Sequence, residues 1–177
     1  MTKYGGRKGV VIGDTRGTGV AIAKRLVEGG AEVLLTGRTP ENLAVAAVEL
    51  GSCAHVVSLD PTGPTAVEEL TSTVEDRLGP IDFLFVNGGT GLPVPALLPL
   101  LRDGGSIVFT RVDAGVRDHG TAEEVARAAL FVAVDATFTT AAEMPADGSP
   151  ARTSSAPQHS TSSPLPTRPG KAGNDDA

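Results

Sequence analysis

Val10-Val11-Ile12-Gly13-Asp14-Thr15-Arg16-Gly17-Thr18-Gly19 is the stretch that decides the fold. It places three glycines between a β-branched run, Gly9 to Gly13, and a helical stripe of Ile22, Ala23, Leu26 and Val27. A strand that ends in a sharp turn and feeds a helix presents that helix's unpaired N–H groups and positive dipole end to whatever lies above it. Glycines there let an anion such as a pyrophosphate approach the backbone closely. The spacing is GxxxGxG rather than GxGxxG. Its weight comes from its place between a strand and an amphipathic helix at the start of a domain.

Working outward, the strand–helix alternation continues. Gly29-Gly30 ends the first helix, and Glu32 to Thr36 reads as a second strand. Thr39 stands in capping position with Pro40 at the first helical residue, and Leu43, Ala46, Ala47 and Leu50 share one face. Ala54 to Leu59 reads as a third strand, and Val67, Leu70, Val74 and Leu78 line a third helix. Asp82 to Asn87 and Ser106 to Thr110 read as the fourth and fifth strands. Between them, Pro93, Pro95 and Pro99 leave room for no more than a turn or two of helix among the leucines. Thr121 and Glu124 form a capping box for a helix with Val125, Ala129 and Val132 inward, and Phe138 to Pro145 reads as a last short strand. The strands are apolar throughout rather than alternating, as when both sheet faces are covered. The pattern predicts an α/β fold with a doubly wound parallel sheet of about five or six strands.

Composition changes after residue 148. Residues 149–177 are Ser-, Thr- and Pro-rich, with Leu165 as the one large apolar residue, and are expected to be a disordered tail behind a domain at 1–148. The 177 residues carry a formal charge of −6, which argues against a nucleic-acid binder working by phosphate neutralisation. No apolar run approaches the ~18 residues that would cross a membrane. The glycine-rich start lacks a basic-then-apolar pattern, so a cytoplasmic protein is expected. The single cysteine, Cys53, forms no internal disulfide and reads as a small buried apolar residue. No His, Cys, Asp and Glu grouping has metal-ligand spacing. His55 beside an apolar strand reads as structural, and His159 lies in the tail.

The end of the second strand bears on cofactor choice. Dinucleotide-binding sheets usually carry Asp or Glu there, accepting from the ribose 2′-hydroxyl. Here the position is Gly37, followed by Arg38. With no carboxylate to repel it, and with Arg38 and the loop's Arg16 to receive it, a 2′-phosphate fits better, so NADP(H) is expected over NAD(H).

The chain resembles the short-chain dehydrogenase/reductase family. Ile12 to Gly19 resembles its T-G-x-x-x-G-x-G, with Ile12 in place of Thr. Asp60 resembles the Asp that holds the adenine ring, and Val86-Asn87-Gly88-Gly89 resembles N-N-A-G. Gly105 to Val108 resembles the fifth strand, and residues 121–135 and 138–148 resemble the last helix and closing strand. The resemblance implies a Rossmann-type domain, with Gly13, Thr15, Arg16, Gly17, Thr18, Gly19, Arg38, Asp60, Asn87, Gly88 and Gly89 facing the dinucleotide.

The same resemblance exposes what is missing. The family's chemistry uses a Ser after the fifth strand and a Y-x-x-x-K; Val112 falls at the Ser, and no Y-x-x-x-K occurs. Tyr4 is the one tyrosine, and no lysine lies between Lys24 and Lys171. Three readings stay open: a non-catalytic NADP(H)-binding protein, an oxidoreductase using unusual residues or completed by another chain, and a deletion remnant. Asp113, Asp118 and His119 are the candidates for unusual acid–base work. Losing the catalytic helices would leave Leu97, Leu98, Leu100 and Leu101 and the sheet edge uncovered, so self-association or a partner protein is expected there.

Overall fold

The computed structural model describes residues 2–13, 15–60, 63, 65–88, 94–110 and 120–136. Five strands, β1 (Lys8–Ile12), β2 (Glu32–Gly37), β3 (Ala54–Ser58), β4 (Ile81–Asn87) and β5 (Leu101–Thr110), form one sheet. All neighbours are parallel in the order β3-β2-β1-β4-β5. The order reverses beside β1, so the carboxyl ends of β1 and β4 flank a crevice of the kind that takes ligands in such sheets. The helices are α1 (Thr18–Glu28), α2 (Pro40–Leu50), α3 (Ala66–Arg77), a single turn α4 (Val94–Leu97) and α5 (Ala122–Leu130), which runs on into a π-helical turn at Phe131–Asp135.

Alternate residues of each strand feed two cores. Val11, Val33, Leu35, Phe83, Phe85 and Val108 meet α1 and α5 through Ile22, Leu26, Ala126 and Leu130. Val10, Ile12, Leu34, Leu84 and Val86 meet α3 through Leu70 and Val74, with Leu97 completing that side. At the amino edge the buried Asp82 carboxylate accepts from the Lys8 amide at 2.9 Å and from Arg102 Nη1 at 2.8 Å, with Arg7 Nη1 at 3.7 Å. It ties the starts of β1, β4 and β5 together.

The expected elements are present, with differences that have physical causes. β5 begins at Leu101 rather than Ser106, because Ile81 pairs with Leu101 and Phe83 with Ser106, and the three extra residues are taken up by a bulge at Gly104, where φ is 76°. Thr39 precedes α2 but its side chain makes no capping bond, whereas the Thr121–Glu124 box forms in both directions. α3 buries Ala66 rather than Val67, and α5 centres its buried stripe on Ala126, Ala129 and Leu130. Cys53 is exposed, not buried, because it closes a short 3₁₀ turn at Gly51–Cys53 outside the sheet. The leucine segment is mostly covered: Leu97 is fully buried and Leu100 and Leu101 pack on the α3 side, leaving Leu98 exposed. The proline-bounded turns fold these leucines back under the sheet. Among the described residues the sheet ends on β5. The expected strand 138–145 and tail 149–177 lie outside the described residues.

Candidate functional site at the carboxyl edge

Gly13 is the hinge of the site. It leaves β1 with φ 152°, and its N–H donates to Thr36 Oγ1 of β2 at 3.2 Å. On its other side a Cβ would stand 2.5 Å from the Asn87 carbonyl oxygen and 2.9 Å from the Asn87 Cβ. Only glycine lets β1 end between β2 and β4 this closely. Asn87, at the end of β4, is fixed from β5: Thr110 Oγ1 donates to its Oδ1 at 3.1 Å, and the Gly88 N–H donates to the Thr110 carbonyl at 3.0 Å.

Beyond Gly13 the chain rises to Gly17, which caps α1 with φ 59° and ψ −128°. Among the described residues no side chain caps the helix, and its first turn holds no acid. The helix terminus thus keeps its donors and its positive field available for an anion. A Cβ at Gly17 would meet nothing within 4 Å, so the space above the turn is open. Thr18 is half-buried and Gly19 buried against the core.

Thr15 is 3% exposed, and its Oγ1 has no hydrogen-bond partner. It lies against Gly37, whose carbonyl accepts from the Leu59 N–H at 2.8 Å and so ties the end of β2 to the end of β3. Arg38 follows, exposed, and Arg16 is exposed on the glycine loop. Neither forms an ion pair among the described residues, whereas Lys3, Lys24, Arg25 and Arg102 are all paired with carboxylates. Asp60 is exposed two residues past β3. Gly89 of the expected site, together with Val112, Asp113, Asp118 and His119, lies outside the described residues.

Thr36 and Thr110 were not singled out in the sequence, yet their hydroxyls hold Gly13 and Asn87. Their signal was a threonine at or next to a strand end, after an apolar run, Val33, Leu34 and Leu35 in β2 and Ile107, Val108 and Phe109 in β5. The one tyrosine lies elsewhere. Tyr4 is 6% exposed, stacks edge-on against Phe83 at 6.3 Å, and donates its N–H to the Gly29 carbonyl at the opposite, amino edge. The described lysines are also committed elsewhere. Lys3 bonds Asp135 and Lys24 bonds Glu49, and these hydrogen bonds raise both ammonium pKa values. Lys8 sits at the start of β1 beside the Leu78 carbonyl and Glu32. His55 pairs with Glu32 at 3.0 Å, in line with a structural role. Among the described residues no group of three His, Cys, Asp or Glu could hold a metal, and no helix is long and apolar enough to cross a membrane.

A parallel sheet ordered 3-2-1-4-5, with a glycine turn and a helix that starts from Gly17 at its centre, defines a Rossmann-type nucleotide-binding fold. Residues 8–99 match the short chain dehydrogenase family, and the chain belongs to that family. It is 36% identical over 104 residues to the serine 3-dehydrogenase of Agrobacterium fabrum, covering 58% of this chain and 42% of that protein. It is 35% identical over 112 residues to the gluconate 5-dehydrogenase of Gluconobacter oxydans, covering 62% and 44%. Against the NADP-dependent 3-hydroxy acid dehydrogenase of Salmonella typhi, identity is 37% over 83 residues, covering 47% and 34%. The chain thus spans less than half the length of these curated relatives. A crystal structure assigned to a betaketoacyl-ACP reductase superposes with a TM-score of 0.62 at 20% identity, over 77% of this chain and 94% of that one. That likeness concerns the fold. The family is one of oxidoreductases that bind nicotinamide dinucleotides.

Proposed function

We propose that this chain binds NADP(H) at the carboxyl edge of its sheet and does not carry out the carbonyl chemistry of its family. The observation that carries the cofactor reading is the pair of exposed arginines, Arg16 next to Thr15 on the glycine loop and Arg38 directly after Gly37, with no carboxylate partner among the described residues. Two exposed guanidiniums near a position without an acid suit a 2′-phosphate. The glycine start of α1 and the open space above Gly17 suit the pyrophosphate. Asp60 would face the adenine, and Asn87, Gly88 and Gly89 would border the dinucleotide, by likeness to the family. That one relative is named as NADP-dependent supports the same choice.

The dinucleotide, when bound, would bring a transferable hydride. The chain's part in reduction would be to polarise the carbonyl oxygen and supply a proton. Val112 can do neither, Tyr4 is buried at the other edge, and Lys3, Lys8 and Lys24 are held away from the crevice. Missing a positioned acid costs roughly 10²–10⁴ in rate and a missing oxyanion donor about 10²–10³. We read 1–148 as the binding domain and 149–177 as a solvated tail. Association with a second copy or a partner would use the β5 edge, where Phe109 is 65% exposed, together with Leu98.

The test is titration of the purified chain with NADPH and NADH by calorimetry, alongside NADPH oxidation over a panel of ketones, aldehydes and quinones. NADPH is expected to bind about ten-fold or more tightly than NADH, the value of one charge-assisted contact of ~1.5 kcal/mol. Arg38→Ala is expected to remove most of that preference. Equal affinities overturn the cofactor reading. Turnover of about 1 s⁻¹ or more overturns the non-catalytic one and favours an oxidoreductase with unusual residues, with His119→Ala as the check.

A further inference from the structure

A Cβ on residue 37 would stand 2.4 Å from Thr15 Cγ2, 2.7 Å from Thr15 Oγ1 and 3.1 Å from Thr15 Cβ. Both branches of the threonine therefore point at the place where a side chain at 37 would begin. Rotation about χ1 does not clear it. A staggered Cβ offers three sites, two of which face Gly37 here, and threonine has two heavy branches to seat in them. Whatever the rotamer, at least one branch blocks residue 37. Burial removes the other escape, since Thr15 is 3% exposed and Gly37 is buried beside it.

We infer that Thr15 is a specificity-determining residue: by occupying the space over Gly37 it excludes from the end of β2 the carboxylate that would accept the ribose 2′-hydroxyl of NAD(H). The inference rests on the dinucleotide reading above and goes beyond it. Preference is then a property of two residues on different elements, and Gly37 is kept small by the loop rather than by the phosphate. The hydroxyl is incidental to this exclusion. Thr15 Oγ1 has no hydrogen-bond partner, so it is the shape of the side chain that acts.

The experiment is a double-mutant cycle on the full chain, read by melting temperature and by calorimetric affinity for NADH and NADPH. Gly37→Asp and the smaller, uncharged Gly37→Ala are each combined with Thr15→Ala, Thr15→Ser and Thr15→Val. Either substitution at 37 alone is expected to lower the melting temperature by roughly 5 °C, as overpacking does. Thr15→Ala removes both branches, and Thr15→Ser can turn its single branch to the free site, so each should restore at least half of that loss. Thr15→Val keeps both branches and should restore none. With Thr15→Ala present, Gly37→Asp should shift the NADH-to-NADPH affinity ratio about ten-fold or more toward NADH, and more than Gly37→Asp does alone. Rescue by Val equal to that by Ala overturns the exclusion. So does a Gly37→Asp chain that is as stable as the parent and takes NADH unaided. If the stability coupling is present but no variant binds either dinucleotide, the cofactor reading fails, and the selectivity role fails with it. If the dinucleotides bind but the coupling is absent, only the role of Thr15 fails. Should Gly37→Asp not fold, Gly37→Ala carries the stability cycle.

Discussion

Replacing Gly13 by alanine should separate the scaffold of the site from its binding surface. The new methyl would lie 2.5 Å from the Asn87 carbonyl oxygen and 2.9 Å from the Asn87 Cβ, so it meets the end of β4, which is held to β5 by the Gly88 N–H donating to the Thr110 carbonyl. Nothing flexible stands in the way to yield. Forcing the ends of β1 and β4 apart costs about 1–3 kcal/mol as overpacking. A φ of 152° adds roughly 1–3 kcal/mol of backbone strain for a residue with a Cβ. Together these give about 2–6 kcal/mol, or a fall in melting temperature on the order of 10 °C for a domain of this size. Gly17→Ala is the control. Its φ of 59° and ψ of −128° also resist a Cβ, but that methyl would enter open space, so only the strain of roughly 1–3 kcal/mol applies. The methyl at 17 would, however, fill the cradle over the α1 terminus. Thermal melts and NADPH calorimetry should therefore dissociate: Gly13→Ala loses more stability, whereas Gly17→Ala loses binding with a smaller thermal cost. Equal melting temperatures for the two variants would refute the close approach of β1 to β4 and the reasoning built on it.

Three further outcomes are expected. Asp82→Ala leaves the Lys8 amide without its acceptor and should cost about 1–3 kcal/mol in denaturant melts, with the half-exposed arginines adding little, while Asp82→Asn should recover part of the loss. The Glu124 carboxyl is held below its ordinary pKa by the backbone and then the side-chain hydrogen bonds of Thr121. Its stabilisation is thus full above the ordinary glutamate range and lost as pH falls through the lowered value, and Thr121→Ala should flatten that part of the stability–pH curve. Deleting residues 149–177 should leave melting temperature and cofactor affinity nearly unchanged, because their composition offers almost nothing to bury. A drop of several degrees would mean that the tail docks.

Much of the site was legible because its signals are local. A glycine turn between an apolar run and an amphipathic stripe is a property of ten consecutive residues, and it placed Gly13, Gly17, Gly19 and Arg16 correctly on the loop and the start of α1. The position of Gly37 and Arg38 at the end of β2 followed from the same kind of run. Thr36 and Thr110 were not legible, because their worth lies in bonds to Gly13 and Asn87, 23 residues away in each case. The absence of Y-x-x-x-K could be read by inspection, but only the packing of Tyr4 on Phe83 and Gly29 puts the one tyrosine at the far edge of the sheet.

The sequence by itself determined the alternation of strands and helices, the parallel doubly wound class and the glycine loop, because hydrophobic period and backbone conformation are set by neighbours along the chain. Tertiary structure decided the rest. It set β1 between β2 and β4, and so made their carboxyl ends one crevice. It turned Cys53 outward, against the expectation from its apolar character, and buried Leu97 although the family's catalytic helices are missing, since burial depends on what packs above a residue and not on its own polarity. It also brought Thr15 over Gly37, 22 positions later in the chain, where contact between the glycine loop and the end of β2 governs which side chains position 37 can carry.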